Sequence, residues 1–415
     1  MPVLRVIAFL ALLIPAQLRA ASILLPMDEQ QKNHLKAYGI AYYALQKTID
    51  VDWLLNYRGG SFLIAYDANI ESECVVRGIT FEVITADKAQ LMLKEIASPA
   101  VNMNVVRLET APRIGVYSPK NDLIADESDA VIHVLDYAEI PYTILYDEEV
   151  IKGDLVKFDW LHLHHEDFTG QSGRFLRRES AQIESRMQEV TAQKLGYSKV
   201  SLMKLDVAKK IKAYCAGGGY LFAMCSGAET LDIALAAEGI DIADAMYDGD
   251  EADENAQSRL DFSKTFAFEN FTLEPGVSRR FSDINTGRFN FFDEGQGFFT
   301  VFNFSAKWDI VPSLLTQNHE HTIHDFSGQT TAFNPATIKP TVLILGENKR
   351  ATNVRYIYGE LGRGHWTFYG GHDPEGTPGR RRQLADLNLH PHSPGYRLIL
   401  NNVLFPSAKR KKLKT

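Results

Sequence analysis

The polar and apolar positions divide the chain into stretches of different period. "KNHLKAYGIAYYALQKTI" carries apolar residues at helical spacing. "DVDWLLNYRGGSFLIAY" follows as strand, turn, strand, and the "RGG" at Arg58 to Gly60 suits a tight turn, where glycine accepts positive φ. "GITFEVIT" predicts another strand, and "DKAQLMLKEIA" a short helix with Asp87 near its start. Together they predict a small N-terminal α+β domain over residues 22–110.

From Arg113 the pattern changes. "RIGVYSP", "PYTILYD", "VKFDWLHLHH" and "GYLFAMC" are short apolar strands. Helical patterns separate them: "DESDAVIHVLDYAEI", with acids in its first turn where the helix dipole favours them, then residues 177–193 and 207–214, then "AETLDIALAAEG". This alternation predicts a mostly parallel sheet with right-handed crossovers. It stops at about Asp241. The acidic "DGDEADENAQSRLDF" reads as a solvated loop, and "RFNFFDEGQGFFTVFNFSAKWDI" is aromatic without a clear period. Residues 241–334 therefore read as a β-rich insertion. The α/β pattern returns with "KPTVLILGE", "NVRYIYGELGRGHWTFYGG" and the helical "GYRLILNNVLF", so the α/β unit runs over 111–405. Gly362 and Gly364 mark a hairpin-like turn inside it.

Composition narrows the class. The chain has 415 residues, 45% hydrophobic and 23% charged, which is ordinary globular composition with room for two or three domains. The formal charge of -8 argues against a general nucleic-acid binder, whose affinity rests on neutralising phosphates. Basic residues concentrate in the tail, 406–415. At the other end, "MPVLR", the apolar "VIAFLALLIPA" and "QLRAAS" have the order of a signal peptide, residues 1–20, cleaved after Ala20 or Ala21. The protein is thus expected to be exported, periplasmic or extracellular. The apolar run is too short to span a bilayer, and no later stretch predicts a transmembrane helix. Three cysteines, Cys74, Cys215 and Cys225, are too few for a disulfide framework, although Cys74–Cys215 is a candidate bridge.

"AMCSG" places Cys225 at the carboxyl end of a strand, where active groups of parallel sheets collect. Ala223 and Gly227, two residues away on either side, give a strained turn the room it needs. The next helix points its N-terminus at the sulfur and favours thiolate. The Ser226 amide is then placed to hold an oxyanion. "YGGHDPEGTP" supplies His372 as a base, with Asp373 and Glu375 close by. These two stretches resemble the small-x-Cys-x-Gly elbow and the His-Pro-Glu-type motif of the class I glutamine amidotransferase-like superfamily, over residues 111–240 and 335–405. The resemblance implies a flavodoxin-like, doubly wound, mostly parallel sheet. It also implies Cys225 as nucleophile, His372 as base and Glu375 as orienting acid. The loop "LHLHHEDFTGQSG" would border the crevice, with Gly170 giving a second oxyanion amide and His165 and Glu166 meeting the substrate.

The whole chain also resembles exported bacterial proteins labelled asparagine synthetase B-like, through "LLNYRGGSF", "HLHHEDFTGQ" and "SPGYRLILNNVLFP". Asparagine synthesis is not implied: residue 2 is Pro rather than Cys, and no SGGxDS loop is present. Strand alternation puts His162 and His164 on one face, and two imidazoles can begin a metal site. A third ligand from "HEHTIH" (His319, His321, His324) would have to complete it, and no metal is assigned. No GxGxxG or GxxxxGK[ST] occurs, so no cofactor is expected. Two functions stay open: a cysteine hydrolase acting on an amide or related acyl bond, and a non-catalytic module binding a small molecule, carbohydrate or peptide.

Overall fold

The structure is a computed structural model and describes residues 20–118, 129–164, 166–174, 179–274, 276, 280–287, 298–324, 330, 332–376 and 384–408. A first sheet is built from β1 (Ala20–Leu25), β2 (Val51–Leu55), β3 (Ser61–Ala65), β4 (Glu82–Thr85) and β5 (Asn104–Leu108). Its order is β4-β1-β3-β2-β5, antiparallel throughout. Its helices are α1 (His34–Gln46), α2 (Ala68–Val76) and α3 (Ala86–Ala97).

The second sheet contains β6 (Ile114–Tyr117), β7 (Thr143–Leu145), β8 (Trp160–Leu163), β9 (Tyr220–Met224), β10 (Phe298–Val301), β11 (Thr322–His324), β12 (Leu343–Asn348), β13 (Asn353–Leu361) and β14 (Gly364–Tyr369). Their order is β11-β10-β12-β13-β14-β9-β8-β6-β7. Helices α4 (Ala130–Ala138), α5 (Asp147–Lys152), α6 (Glu179–Lys194), α7 (Val200–Gly217) and α8 (Cys225–Ala236) accompany the first four strands. The short α9 (Ala245–Asp248), α10 (Ala256–Arg259) and α11 (Pro312–Leu315) precede the last helix, α12 (Pro394–Leu404).

The flavodoxin-like, doubly wound parallel architecture expected from the sequence is not what forms. Parallel pairing is confined to β7, β6, β8, β9 and β14; the rest of the second sheet and all of the first are antiparallel. The reason lies in the connections. Two residues join β13 to β14, and four join β12 to β13. A parallel return needs a crossover of about a dozen residues, so these turns can close only antiparallel pairs. Nor is the stretch 241–334 a separate β-rich unit among the described residues. Its strands β10 and β11 extend the edge of the second sheet.

Alternation along the strands sorts the core into layers. Leu24, Leu54 and Leu63 of the first sheet pack on Ala89, Met92 and Ile96 of α3. The opposite face, with Ile23, Trp53 and Phe62, meets α1, α4 and α12. Trp160, Phe222 and Tyr356 of the second sheet press on those same helices from the other side. Leu161, Leu163, Leu221 and Ala223 face outward onto α7 and α8. The order is therefore helix, sheet, helices, sheet, helices. The residues before 110 share one core with the rest, and Tyr38 (hydroxyl to Asn401 Oδ1, 2.5 Å) and Arg397 (Nη2 to the Gly59 carbonyl, 2.8 Å) join them across the middle layer.

Candidate functional site

β9 ends at Met224 and α8 starts at the next residue, so the chain turns at Cys225 itself. Cys225 has φ 50°, in the left-handed region. For a residue with a Cβ that conformation costs roughly 1–3 kcal/mol and persists where the surroundings impose it. The surroundings are visible. The Gly227 amide donates to the His164 carbonyl at 2.9 Å. A Cβ on Gly227 would lie 2.6 Å from that carbonyl oxygen and 3.2 Å from Glu166 Oε2. Glu166 is buried; its Oε2 accepts from the His164 amide at 2.6 Å and its carbonyl from the Thr230 hydroxyl at 2.8 Å. The loop after β8 is thus clamped onto the first turn of α8.

The other residues singled out by sequence fall as follows. Ser226 is buried in that first turn, where an amide has no intrahelical acceptor. Gly170 has φ 78°, and its bare Cα makes room for the Ser201 backbone, 2.8 Å from where a Cβ would be. Its contact is with the start of α7. His165 lies outside the described residues. His372 is half-buried, and its ring centroid is 4.2 Å from that of His164. Asp373 is occupied structurally, accepting from the Glu375 amide, the Ala385 amide and the Tyr396 hydroxyl, each at 2.9 Å. Glu375 Oε2 lies 3.3 Å from His390 Nδ1.

The carboxylate that stands behind His372 through a second ring is one that no sequence motif selects. Asp129 caps α4, its Oδ1 accepting from the amides of Val131 (2.7 Å) and Ile132 (3.1 Å). Its Oδ2 lies 3.3 Å from His162 Nε2 and 3.6 Å from His164 Nδ1. Burial pushes the Asp129 carboxyl up. The two imidazoles and the backbone donor outweigh that and hold it well below the usual carboxylate range. In sequence Asp129 is one of the acids assigned to the first turn of a helix, the structure makes it the cap of α4, and no second signal marks it.

Two further acids are buried on α8. Glu229 accepts from the hydroxyls of Ser282 (2.8 Å) and Thr330 (2.7 Å), and burial raises it to about 7. Asp232 accepts from the amides of Phe266, Ala267 and Phe268 at 2.6–2.9 Å, pinning the chain beyond α10 to α8. The Cys74–Cys215 bridge does not form: none of the three cysteines is in a disulfide, and burial pushes Cys74 and Cys215 to about 12. A cleft of about 540 Å³ lies at the amino ends of β6, β8 and β9, lined by Arg113, Asp159, Gly218 and Tyr220 among others, at the opposite end of those strands from Cys225.

No helix among the described residues is long and apolar enough to cross a membrane. No protein-family model matches the chain, and no curated protein matches it. Among solved structures, the chain is similar to the cytoplasmic protein STM3548 from Salmonella typhimurium at 11% identity and a TM-score of 0.37, over 72% of this chain and 100% of that one. Cytoplasmic protein STM1381 from Salmonella typhimurium LT2 gives 13% identity and a TM-score of 0.34, over 71% and 99%. Likenesses this slight carry neither a fold nor a function to this chain.

Proposed function

We propose that this protein is an exported cysteine hydrolase-like protein that acts on an amide or related acyl bond at the β9–α8 elbow. The observation that carries this reading is the backbone of Cys225, a non-glycine residue held at φ 50° at the joint between strand and helix. Strain of that kind is kept where it displays a group. The N-terminus of α8 favours the thiolate, the Ser226 amide suits a developing oxyanion, and His372 is the candidate proton carrier. In the chemistry proposed, the thiolate adds to the acyl carbon, a proton goes to the leaving amine, and water later releases the acid. The apolar segment at residues 6–16 supports export.

A second reading is favoured by one number. Cys225 is 1% exposed and belongs to the core cluster shared by β9 and the middle helices. On that reading the elbow is structural and the protein binds a small molecule, peptide or carbohydrate without chemistry. The pH dependence of iodoacetamide alkylation separates the two, with Cys225→Ser and His372→Ala as controls. Cys74 and Cys215, held near 12, give a slow background. A Cys225 thiolate titrating well below about 8.5, and shifted by His372→Ala, supports the hydrolase. An ordinary titration indifferent to His372 leaves the binding module.

A further inference from the structure

The end of β8 and the cap of α4 bring together three donors of a kind that metals select. Asp129, His162 and His164 are all buried, and one ligand atom from each lies within 4.8 Å of the others. The Asp129 Oδ2 distances of 3.3 and 3.6 Å to the imidazole nitrogens fit a shared ion. A zinc ion about 2.0–2.1 Å from each of two tetrahedral ligands sets them roughly 3.4 Å apart.

The hydrogen bonds around the cluster point the same way. His162 Nδ1 lies 3.2 Å from the Phe222 carbonyl, which can only accept, so Nδ1 carries the hydrogen. In the neutral ring Nε2 then presents a lone pair, completely buried, to a carboxylate oxygen. It makes no hydrogen bond there, although Asp129 Oδ2 is 3.3 Å away. Two electron-rich atoms facing each other in a dry interior are stabilised by a positive charge between them, and a metal ion supplies it without protonating the ring. A backbone carbonyl fixing the far nitrogen of an imidazole is also the usual outer support of a metal-bound histidine. Asp129 is prepared similarly, with Oδ1 taken by two amides and Oδ2 left toward the rings.

The other acidic cluster, Asp241, Asp248 and Asp250, differs in this respect. It already holds a cation, the Lys199 ammonium, at 2.6, 3.1 and 2.5 Å. Nor is a third ligand needed from the 319–324 stretch, where His324 packs on the Phe298 ring (centroids 4.5 Å apart).

We propose that Asp129 Oδ2, His162 Nε2 and His164 Nδ1 form a buried site for a divalent cation of the zinc class. Two imidazoles and a carboxylate suit zinc and its first-row neighbours rather than calcium or magnesium. The inference does not depend on Cys225 being a nucleophile. With the ion in place, His164 is held beside His372, so the site orders the region behind the elbow.

The test is zinc titration of the chelator-treated full chain, followed by calorimetry and metal analysis. One equivalent per chain is expected, unchanged in Cys225→Ser. Asp129→Asn and His162→Gln are expected to weaken binding about 100-fold or more, since loss of outer-shell partners alone costs 10–100-fold. Asparagine still caps a helix, so Asp129→Asn spares α4. Cobalt(II) bound to the unaltered protein supplies a readout that needs no variant: a visible tetrahedral spectrum without a thiolate charge-transfer band. Failure to take up zinc would mean that the cluster is an imidazolium–carboxylate pair. Tight binding that survives Asp129→Asn, or a thiolate band, equally overturns the proposed donor set.

Discussion

The Gly227 amide donates to the His164 carbonyl across 2.9 Å, and this bond ties the end of β8 to the first turn of α8. It forms because residue 227 has no side chain. In Gly227→Ala the new Cβ would stand 2.6 Å from that same oxygen, a backbone atom that cannot swing aside. Overpacking of this kind costs about 1–3 kcal/mol. A urea midpoint unchanged in Gly227→Ala would contradict the clamp.

Backbone strain at Cys225 reverses the usual ranking of small residues. In a helix alanine is favoured over glycine by about 1 kcal/mol. At φ 50° glycine has the freedom that alanine lacks. Cys225→Gly is therefore expected to be more stable than Cys225→Ala, by on the order of 1 kcal/mol, although it removes one more carbon from the core. Paired thermal melts of the two variants decide this, and the opposite order would show a relaxed elbow.

Glu229 gives folding a pH dependence of defined sign. Its pKa is near 7 in the folded chain against 4.5 when free, because burial disfavours the charge. The folded state therefore binds the proton more tightly. Its contribution is complete below about 4.5 and is lost as pH rises through about 7. Glu229→Gln removes this fall, worth up to roughly 3 kcal/mol. Denaturation curves at pH 5 and pH 8 for both proteins measure it. Equal slopes would place the titration elsewhere.

Lys204 is a buried cation with a structural task. Its Nζ is 2.7 Å from Asp147 Oδ1 and 2.8 Å from the Tyr117 hydroxyl, which itself donates to Asp147 Oδ1 at 2.6 Å. Lys204→Met strands the Asp147 charge in the interior, a loss of about 3–5 kcal/mol. Adding Asp147→Leu removes the stranded charge and is expected to recover most of the loss. Chemical denaturation of the single and double variants provides the comparison; a double variant weaker than the single one would refute the assignment.

Local pattern by itself determined most of the elements. The periodicity of residues 32–49 marks α1 (His34–Gln46), and the apolar run before Cys225 marks β9 and the helix that follows. Alternation along "HLHH" set His162 and His164 on one face, because side chains of a strand alternate whatever it packs against. Pairing direction was also latent in loop length: "ELGRGHW" leaves two residues between β13 and β14, too few for a parallel return. Reading the α/β pattern as one parallel sheet overlooks that limit. It also misses β1, whose "AASILL" begins at Ala20, the last residue assigned to the signal-like segment.

Tertiary structure alone decided the company each group keeps. Glu375 stands near His372 in sequence, yet it sits against His390, while the carboxylate behind the rings comes from Asp129, more than two hundred residues earlier. Such a meeting depends on how α4 docks over β8, a property of packed layers that no local spacing carries. The same holds for burial. Sequence places Cys225 at a strand end, but the middle helices, closing over it from distant parts of the chain, leave the residue 1% exposed.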